Sequence, residues 1–550
     1  MKKAGKSVVF PLSIVLAVAL LLTPFAVLSG VVFGGEKVYR NTFYAELDDK
    51  YDRLYSAEGE KIVLIGGSSV AFGYDSKTLS DLFDRPVVNF GLYAELGTKL
   101  MLDLAEDAIR EGDIVLIAPE LDPQTLSLYF SGGAALRALE EKPSMIRGIK
   151  RENYPSLFGA LWSFAGEKIG YLKHGAPDPA GVYNSRNFNE YGDVVYTVTE
   201  TSDGGEEISV DGRKEKNVMS GFFDSSTKVI PDASIVSEDF LDYLNAFIDR
   251  IAKRGASAYF VFCPINAMAL TRRSENGEEI PVALDALKLE TGETKASIKG
   301  VALPDELSLR CAEFAAYLSE RLHCEILGST VDFVYPPNYF YDTNFHLNTR
   351  GAALHTAKVG NLLYGALRET DEKPLAESKY LPEIEIPLAD METVYDEGDL
   401  RYRLTLDDAF SVVGVTETGK TKETVVLPTE ITVYDAKLGF EITRPVSAIA
   451  TRAFAGTTRL KTVVIGDRNR MKEICTRAFA DSSVREIYLF CPVEGFLAGK
   501  DMLGGAVDGF RIRVGQNLGY ETDYIWGEIN VEGQPKTLVV TEKTFADFTD

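Results

Sequence analysis

Two adjacent serines, Ser68 and Ser69, follow the apolar run Ile62-Val-Leu-Ile65 and the pair Gly66-Gly67. Four apolar residues in a row predict a strand buried on both faces of a parallel sheet. A hydroxyl at the carboxyl end of such a strand lies beside the unpaired N–H groups of the next turn or helix, a favourable place to stabilise an oxyanion. Taken alone, Gly-Ser after a strand also describes a turn with an N-cap. The phosphate loop G-x-x-x-x-G-K-[ST], the dinucleotide fingerprint G-x-G-x-x-G and the G-x-S-x-G elbow are all absent here. What points to chemistry lies far downstream. A serine nucleophile needs a base, usually His, and an acid to orient it. The chain has four histidines. His346 lies in Tyr341-Asp342-Thr-Asn344-Phe-His346-Leu-Asn348, with the Asp342 carboxylate four residues before it and a helical run after it. His174 and His323 have no Ser or Asp pattern nearby and read as structural, and His355 falls on a helix, packed or exposed.

Gly67-Ser68-Ser69-Val-Ala-Phe-Gly73 resembles the first block, G-D-S-x-x-x-G, of the SGNH (GDSL-like) hydrolases. That alignment places Ser69 at the nucleophile and Ser68 where the family has Asp. Val88-Asn89-Phe90-Gly91 resembles the second block, whose Gly N–H helps form the oxyanion hole. Asp342 to His346 resembles the last block, in which Asp and His precede the final helix. The similarity covers residues 55–370, with insertions, and looks closest to the membrane-anchored branch that works on the bacterial envelope, including the teichoic-acid D-alanylation and alginate-acetylation factors. The resemblance implies a three-layer α/β/α fold on a parallel sheet and a serine esterase or O-acyltransferase, of class EC 3.1 or 2.3. Ser69 would attack an ester carbonyl, His346 would take the proton, Asp342 would hold the imidazole, and the N–H groups of Ser69 and Gly91 would receive the developing charge. The implied substrate is an acyl ester of an envelope glycan or polymer, with no metal and no organic cofactor.

Two positions depart from the family pattern. Where the third block G-x-N-D is due, the chain reads Ile114-Val-Leu-Ile-Ala118-Pro119-Glu120. Its Asn is therefore missing, and Glu120 and Asn266 are the candidates to take its place. Asp342 and His346 also stand four apart instead of three. If the missing Asn leaves the site degenerate, the chain reads instead as a surface binding or adhesion protein.

A chain of 550 residues predicts two or three domains. Its 45% hydrophobic content suffices for sizeable cores, and 25% charged residues exclude wholesale disorder. A net charge of −24 argues against nucleic acid as a partner and against docking on anionic headgroups. Five cysteines without a C-x-x-C give no zinc or redox motif. Cys263 and Cys324 read as core thiols; Cys475 and Cys491 stand sixteen apart, and the sequence leaves their pairing open.

In chain order, residues 1–6 form a basic start. No charge follows from Ser7 to Gly35, more than the ~20 apolar residues that cross a bilayer. Residues 7–33 are therefore expected to be an uncleaved anchor rather than a signal peptide, although Ala26-Val-Leu-Ser29-Gly30 offers a small-residue cleavage site. The lysines would stay in the cytoplasm, placing the bulk of the chain outside. Residues 36–370 alternate β and α patterns, which argues for a parallel sheet with helices on both faces; Ser69, Gly91 and Glu120 all fall at carboxyl ends of strands. Insertions at 123–235 and 274–303 interrupt the alternation. The first carries Tyr183, Phe188, Tyr191 and Tyr196, which read as a small local core or as platforms for sugar rings. Residues 371–390, with Pro374, Pro382 and Pro387, read as a linker.

Residues 391–550 differ in kind. Val446-Ser-Ala-Ile449 through Arg452-Ala-Phe454-Ala to Ile465 recurs twenty-five residues on, as Met471 through Arg477-Ala-Phe479-Ala to Leu489. Such a period signals a solenoid, and the pattern resembles the BspA-type leucine-rich repeats of bacterial surface proteins. Thr424-Val-Val-Leu-Pro428 starts a degenerate third copy, and flanking β segments should cap the stack. A protein or glycan partner is open for this module.

Overall fold

The computed structural model describes residues 5–549 except 178–180, 196, 201–205, 211–212, 216–228, 274–278, 282–286, 293–294, 337–338, 342, 381–383, 406–407, 476, 493–496, 499–501, 504, 508 and 519–537. Ile62–Gly66 (β1), Val87–Gly91 (β2) and Ile114–Ala118 (β3) are buried along their whole lengths, as continuous apolar runs require. Ser257–Val261 (β4) and Glu325–Leu327 (β5) complete a parallel sheet of order 2-1-3-4-5. The direction of winding reverses between β1 and β3, so the crevice at their carboxyl ends is the place such sheets offer for a ligand.

At the opposite end, Lys61 and Asp113 form a fully buried ion pair at 2.5 Å, and Asp113 Oδ1 also accepts the Lys61 N–H. Removing either partner would strand the other charge, at a cost of roughly 3–5 kcal/mol. The pair therefore holds β1 and β3 in register, with Gly66 beside Ala118.

Helices cover this sheet. Gly5–Gly34 (α1) is the apolar N-terminal helix, and its Ile14–Gly34 stretch is long and apolar enough to cross a membrane. Glu46–Ser56 (α2), Ser68–Gly73 (α3), Ser76–Phe83 (α4), Thr98–Ala105 (α5), Gly132–Ala138 (α6), Tyr154–His174 (α7), Glu238–Ala252 (α8), Asp305–Ser319 (α9) and Thr349–Arg368 (α10) follow. Their starts are locally encoded: Asp75, Ser131, Ser237 and Asn348 each accept a first-turn N–H. One apolar core runs from Leu28 to Leu363.

Part of the stretch expected to be linker is a strand. Ile384–Pro387 pairs antiparallel with Lys295–Ile298, and the same strand, Lys295–Val301, pairs on its other side with Leu287–Thr291. Ile-Glu-Ile alternates, and Pro387 ends the strand opposite Lys295 at an edge of the sheet, where a missing N–H is tolerated.

A second core spans Ala389 to Val514. Thr424–Leu427 (β6), Thr462–Ile465 (β7), Glu486–Leu489 (β8), Arg511–Val514 (β9) and Leu538–Val540 (β10) stack in that order, all parallel. The two Arg-Ala-Phe-Ala copies take the same turn: Arg452 and Arg477 are both left-handed, at φ 57° and 55°. Phe454 and Phe479 stack inside, 5.4 Å apart with their planes nearly parallel, and Phe510 continues the column at 4.9 Å from Phe479. The degenerate third copy is a rung, β6, separated from β7 by the inserted hairpin Glu430–Asp435/Phe440–Ile449.

Candidate functional site

The turn after β1 allows no side chain before Ser68. A Cβ on Gly66 would meet Ala118 O at 2.4 Å, and one on Gly67 would meet Glu120 Oε1 at 2.7 Å. A Cβ on Gly91, at the end of β2, would meet Val70 Cβ at 2.4 Å. These glycines let α3 begin immediately above β1, wedged between the ends of β2 and β3, with Ser68 as its first residue.

His346 approaches from the other side of the crevice, in the loop between β5 and α10. Tyr341 N–H donates to His346 O at 2.8 Å, and His346 N–H donates to Thr343 Oγ1 at 3.1 Å. Phe340 and Leu347 pair across the base of this loop. The Phe72 ring lies flat against the imidazole, 4.2 Å away and within 5° of parallel. His346 Nε2 then sits 2.7 Å from Ser68 Oγ.

The residue at the imidazole is thus Ser68, and not Ser69, which the motif alignment put in that place. Both hydroxyls are buried, but Ser69 Oγ has no hydrogen-bond partner among the described residues. The reason is helical geometry: successive residues of α3 point about 100° apart, so the two hydroxyls cannot both meet the imidazole. Asp342, expected to orient the imidazole, lies outside the described residues.

Tyr183 was not singled out for this role by sequence. Its hydroxyl is 3.2 Å from His346 Nδ1, and its ring packs among Phe43, Phe72 and Tyr93. The only signal was the aromatic density of the first insertion. Phe188 packs on Phe43 in the same cluster, and Tyr196 lies outside the described residues.

No family model matches this chain, and no curated protein does. Among solved structures, a leucine-rich repeat protein from Bacteroides capillosus is similar over 27% of this chain and 98% of its own, at 15% identity and a TM-score of 0.20. A likeness that slight bears on neither fold nor function.

The two N–H groups expected to form an oxyanion hole are both engaged. Ser69 N–H donates to Glu120 Oε1 at 2.8 Å, and Gly91 N–H donates to Asn89 Oδ1 at 3.1 Å. Glu120 Oε1 also lies 3.1 Å from Ser68 Oγ, so it fills the space between that hydroxyl and the Ser69 N–H. Burial pushes the Glu120 carboxyl above the usual carboxylate range, against the pull of the Ser69 N–H, the His346 charge and the Ser68 hydroxyl. Asn266, the other candidate for the missing Asn, is fully buried; its N–H donates to Asn344 O at 3.1 Å, tying the end of β4 to the His346 loop.

His355 and His323 stand apart. His355 is fully buried, with Nδ1 3.1 Å from Tyr335 Oη, and burial holds it neutral down to about 3. His323 is exposed and pairs with Asp249 at 2.9 Å. Among the described residues no cluster of His, Cys, Asp and Glu is arranged to hold a metal.

Proposed function

We propose that this chain is a membrane-anchored serine esterase or O-acyltransferase of SGNH type, with Ser68 as nucleophile and His346 as base. The observation that carries this reading is the 2.7 Å approach of His346 Nε2 to Ser68 Oγ at the β1/β3 crevice. For the base to work, Nε2 must be unprotonated, so the imidazole proton must sit on Nδ1. Tyr183 Oη is placed to accept it. Ser68 Oγ attacks the acyl carbonyl carbon and passes its proton to His346 Nε2. The ester C–O bond breaks, and His346 returns the proton to the departing alcohol. Water or a second hydroxyl then takes the acyl group from Ser68, giving an acid or a new ester.

Glu120 fits this scheme in its neutral form. A carboxyl kept protonated by burial is a hydrogen-bond donor, and in sequence Glu120 falls where the family's third block has its donor Asn. Ionised, it would compete with His346 for the single Ser68 proton. The apolar α1 supports anchoring, with the basic start in the cytoplasm and the catalytic part outside. An envelope acyl ester as substrate rests on family resemblance. Labelling of the full-length chain by a fluorophosphonate probe tests the reading: Ser68→Ala should abolish it, and labelling undiminished by that change would remove Ser68 from the mechanism.

A second reading has one observation in its favour. Glu120 fills the space beside Ser69 N–H, as expected of a site that has lost catalysis and left binding to the leucine-rich repeat-like module, with a protein or glycan as partner. A wild-type chain inert to the probe would favour it.

A further inference from the structure

α7 carries an apolar outward face in an acidic chain. Phe158, Trp162, Ile169 and Leu172 fall within an arc of about 80° at 3.6 residues per turn, and they are 46, 60, 42 and 47% exposed. Between Tyr154 and Leu172 the charged residues are Glu167 and Lys168, and both turn away from that face. Glu167 pairs with Arg137 at 3.2 Å, and Lys168 is fully buried against Glu140 at 2.6 Å. Ala165, within the same arc, is buried, and the exposed apolar residues around it mark an interaction surface.

The same helix holds the end of α1. Lys168 Nζ donates to Val32 O at 2.8 Å, satisfying a carbonyl of the last turn of α1 with a cation. Glu140 Oε2 accepts the N–H groups of Val38 and Tyr39, both at 2.9 Å, fixing the chain as it leaves α1. Tyr39 in turn lies against Phe164 and Tyr171 of α7, 5.6 and 5.7 Å away. Leu28 and Val32 are buried in the domain core. Where α1 leaves the bilayer, α7 is therefore the element fastened to it.

We propose that the Phe158–Leu172 face of α7 docks into the interfacial layer of the bilayer that α1 spans, holding the Ser68 crevice at a set orientation over the membrane. The inference rests on the anchored reading of α1. The contact is apolar, with Trp162 suited to the headgroup boundary, and so it does not depend on anionic lipid, which a net charge of −24 disfavours.

The chain has two tryptophans, Trp162 and Trp526, so a Trp526→Phe variant of the full chain reports on Trp162 alone. After reconstitution into phosphatidylcholine vesicles with brominated acyl chains, its emission should fall about twofold or more relative to unbrominated vesicles, at low and high salt alike. A chain that resists alkaline carbonate extraction while Trp162 is quenched by aqueous iodide and not by bromine would overturn the docking and leave the anchor standing. Protection of Trp162 from both quenchers would also overturn it, in favour of a second copy or another protein on this face. Release of the chain by carbonate would remove the anchor itself and the docking with it.

Discussion

His346 Nε2 and Ser68 Oγ lie 2.7 Å apart across 278 residues of sequence. The neighbouring Ser69 offers its backbone N–H to Glu120, and its buried hydroxyl makes no hydrogen bond among the described residues. Ser68→Ala should therefore remove fluorophosphonate labelling and ester hydrolysis, while Ser69→Ala should keep both within about threefold and alter stability by no more than ~1 kcal/mol, since it deletes an unpartnered hydroxyl. Parallel labelling and urea melts of the two variants measure this; loss of activity in the Ser69 variant alone would restore the motif-based assignment.

Glu120→Gln replaces a carboxyl by a permanent amide donor. With the wild type, activity should fall with rising pH as Glu120 ionises, above the usual carboxylate range because burial raises it. Gln cannot ionise, so the variant should keep activity and lose the descending limb. The kcat/KM–pH profile decides: a variant without activity at every pH would mean that the carboxylate itself is required.

Tyr183→Phe deletes the hydroxyl 3.2 Å from His346 Nδ1. The ring can still pack among Phe43, Phe72 and Tyr93, so the fold should hold. Loss of one hydrogen bond that selects the productive tautomer should lower kcat roughly 5–10-fold with KM little changed. An unaltered kcat would assign the tautomer to another residue.

Lys50 on α2 is fully buried and donates to Asn89 O at 2.9 Å and to Gly192 O. Burial lowers its pKa from 10.5 to about 7. The folded value lies below the unfolded one, so between these two values the unfolded chain binds more protons. Stability should then rise with pH across that window, by at most ~1.4 kcal/mol per pH unit, and the gain is lost as pH falls to about 7. Lys50→Met should flatten this dependence whatever its overall cost, as urea melts at successive pH values between about 7 and 9 would show. An unchanged slope would place the titration elsewhere.

In the C-terminal module, Phe479 is fully buried between Phe454 and Phe510. Phe479→Ala should cost roughly 3–5 kcal/mol through lost burial and the cavity left behind. Arg477→Gly, at a left-handed position, should be neutral or stabilising. Thermal melts of the two variants give opposite signs if the paired turns are built as described.

Local patterns in the sequence suffice for much of this protein. Continuous apolar runs produce β1 to β3, capping residues start the helices, the uncharged run from Ser7 produces α1, and recurrence of Arg-Ala-Phe-Ala produces a parallel stack. Each of these depends on residues within a turn or a strand of one another, and the motifs around Ser68–Ser69 and His346 were legible for the same reason. Three things were not. The choice of Ser68 over Ser69 follows from where α3 begins, and a shift of one residue turns a side chain by about 100°. Tyr183 reaches the imidazole from an insertion that carries no motif. Glu120 occupies the space beside Ser69 N–H because β3 lies directly alongside β1, with Ala118 level with Gly66. Each of these is a contact between segments far apart in the chain, and only the packing of the sheet and its loops decides which atoms meet.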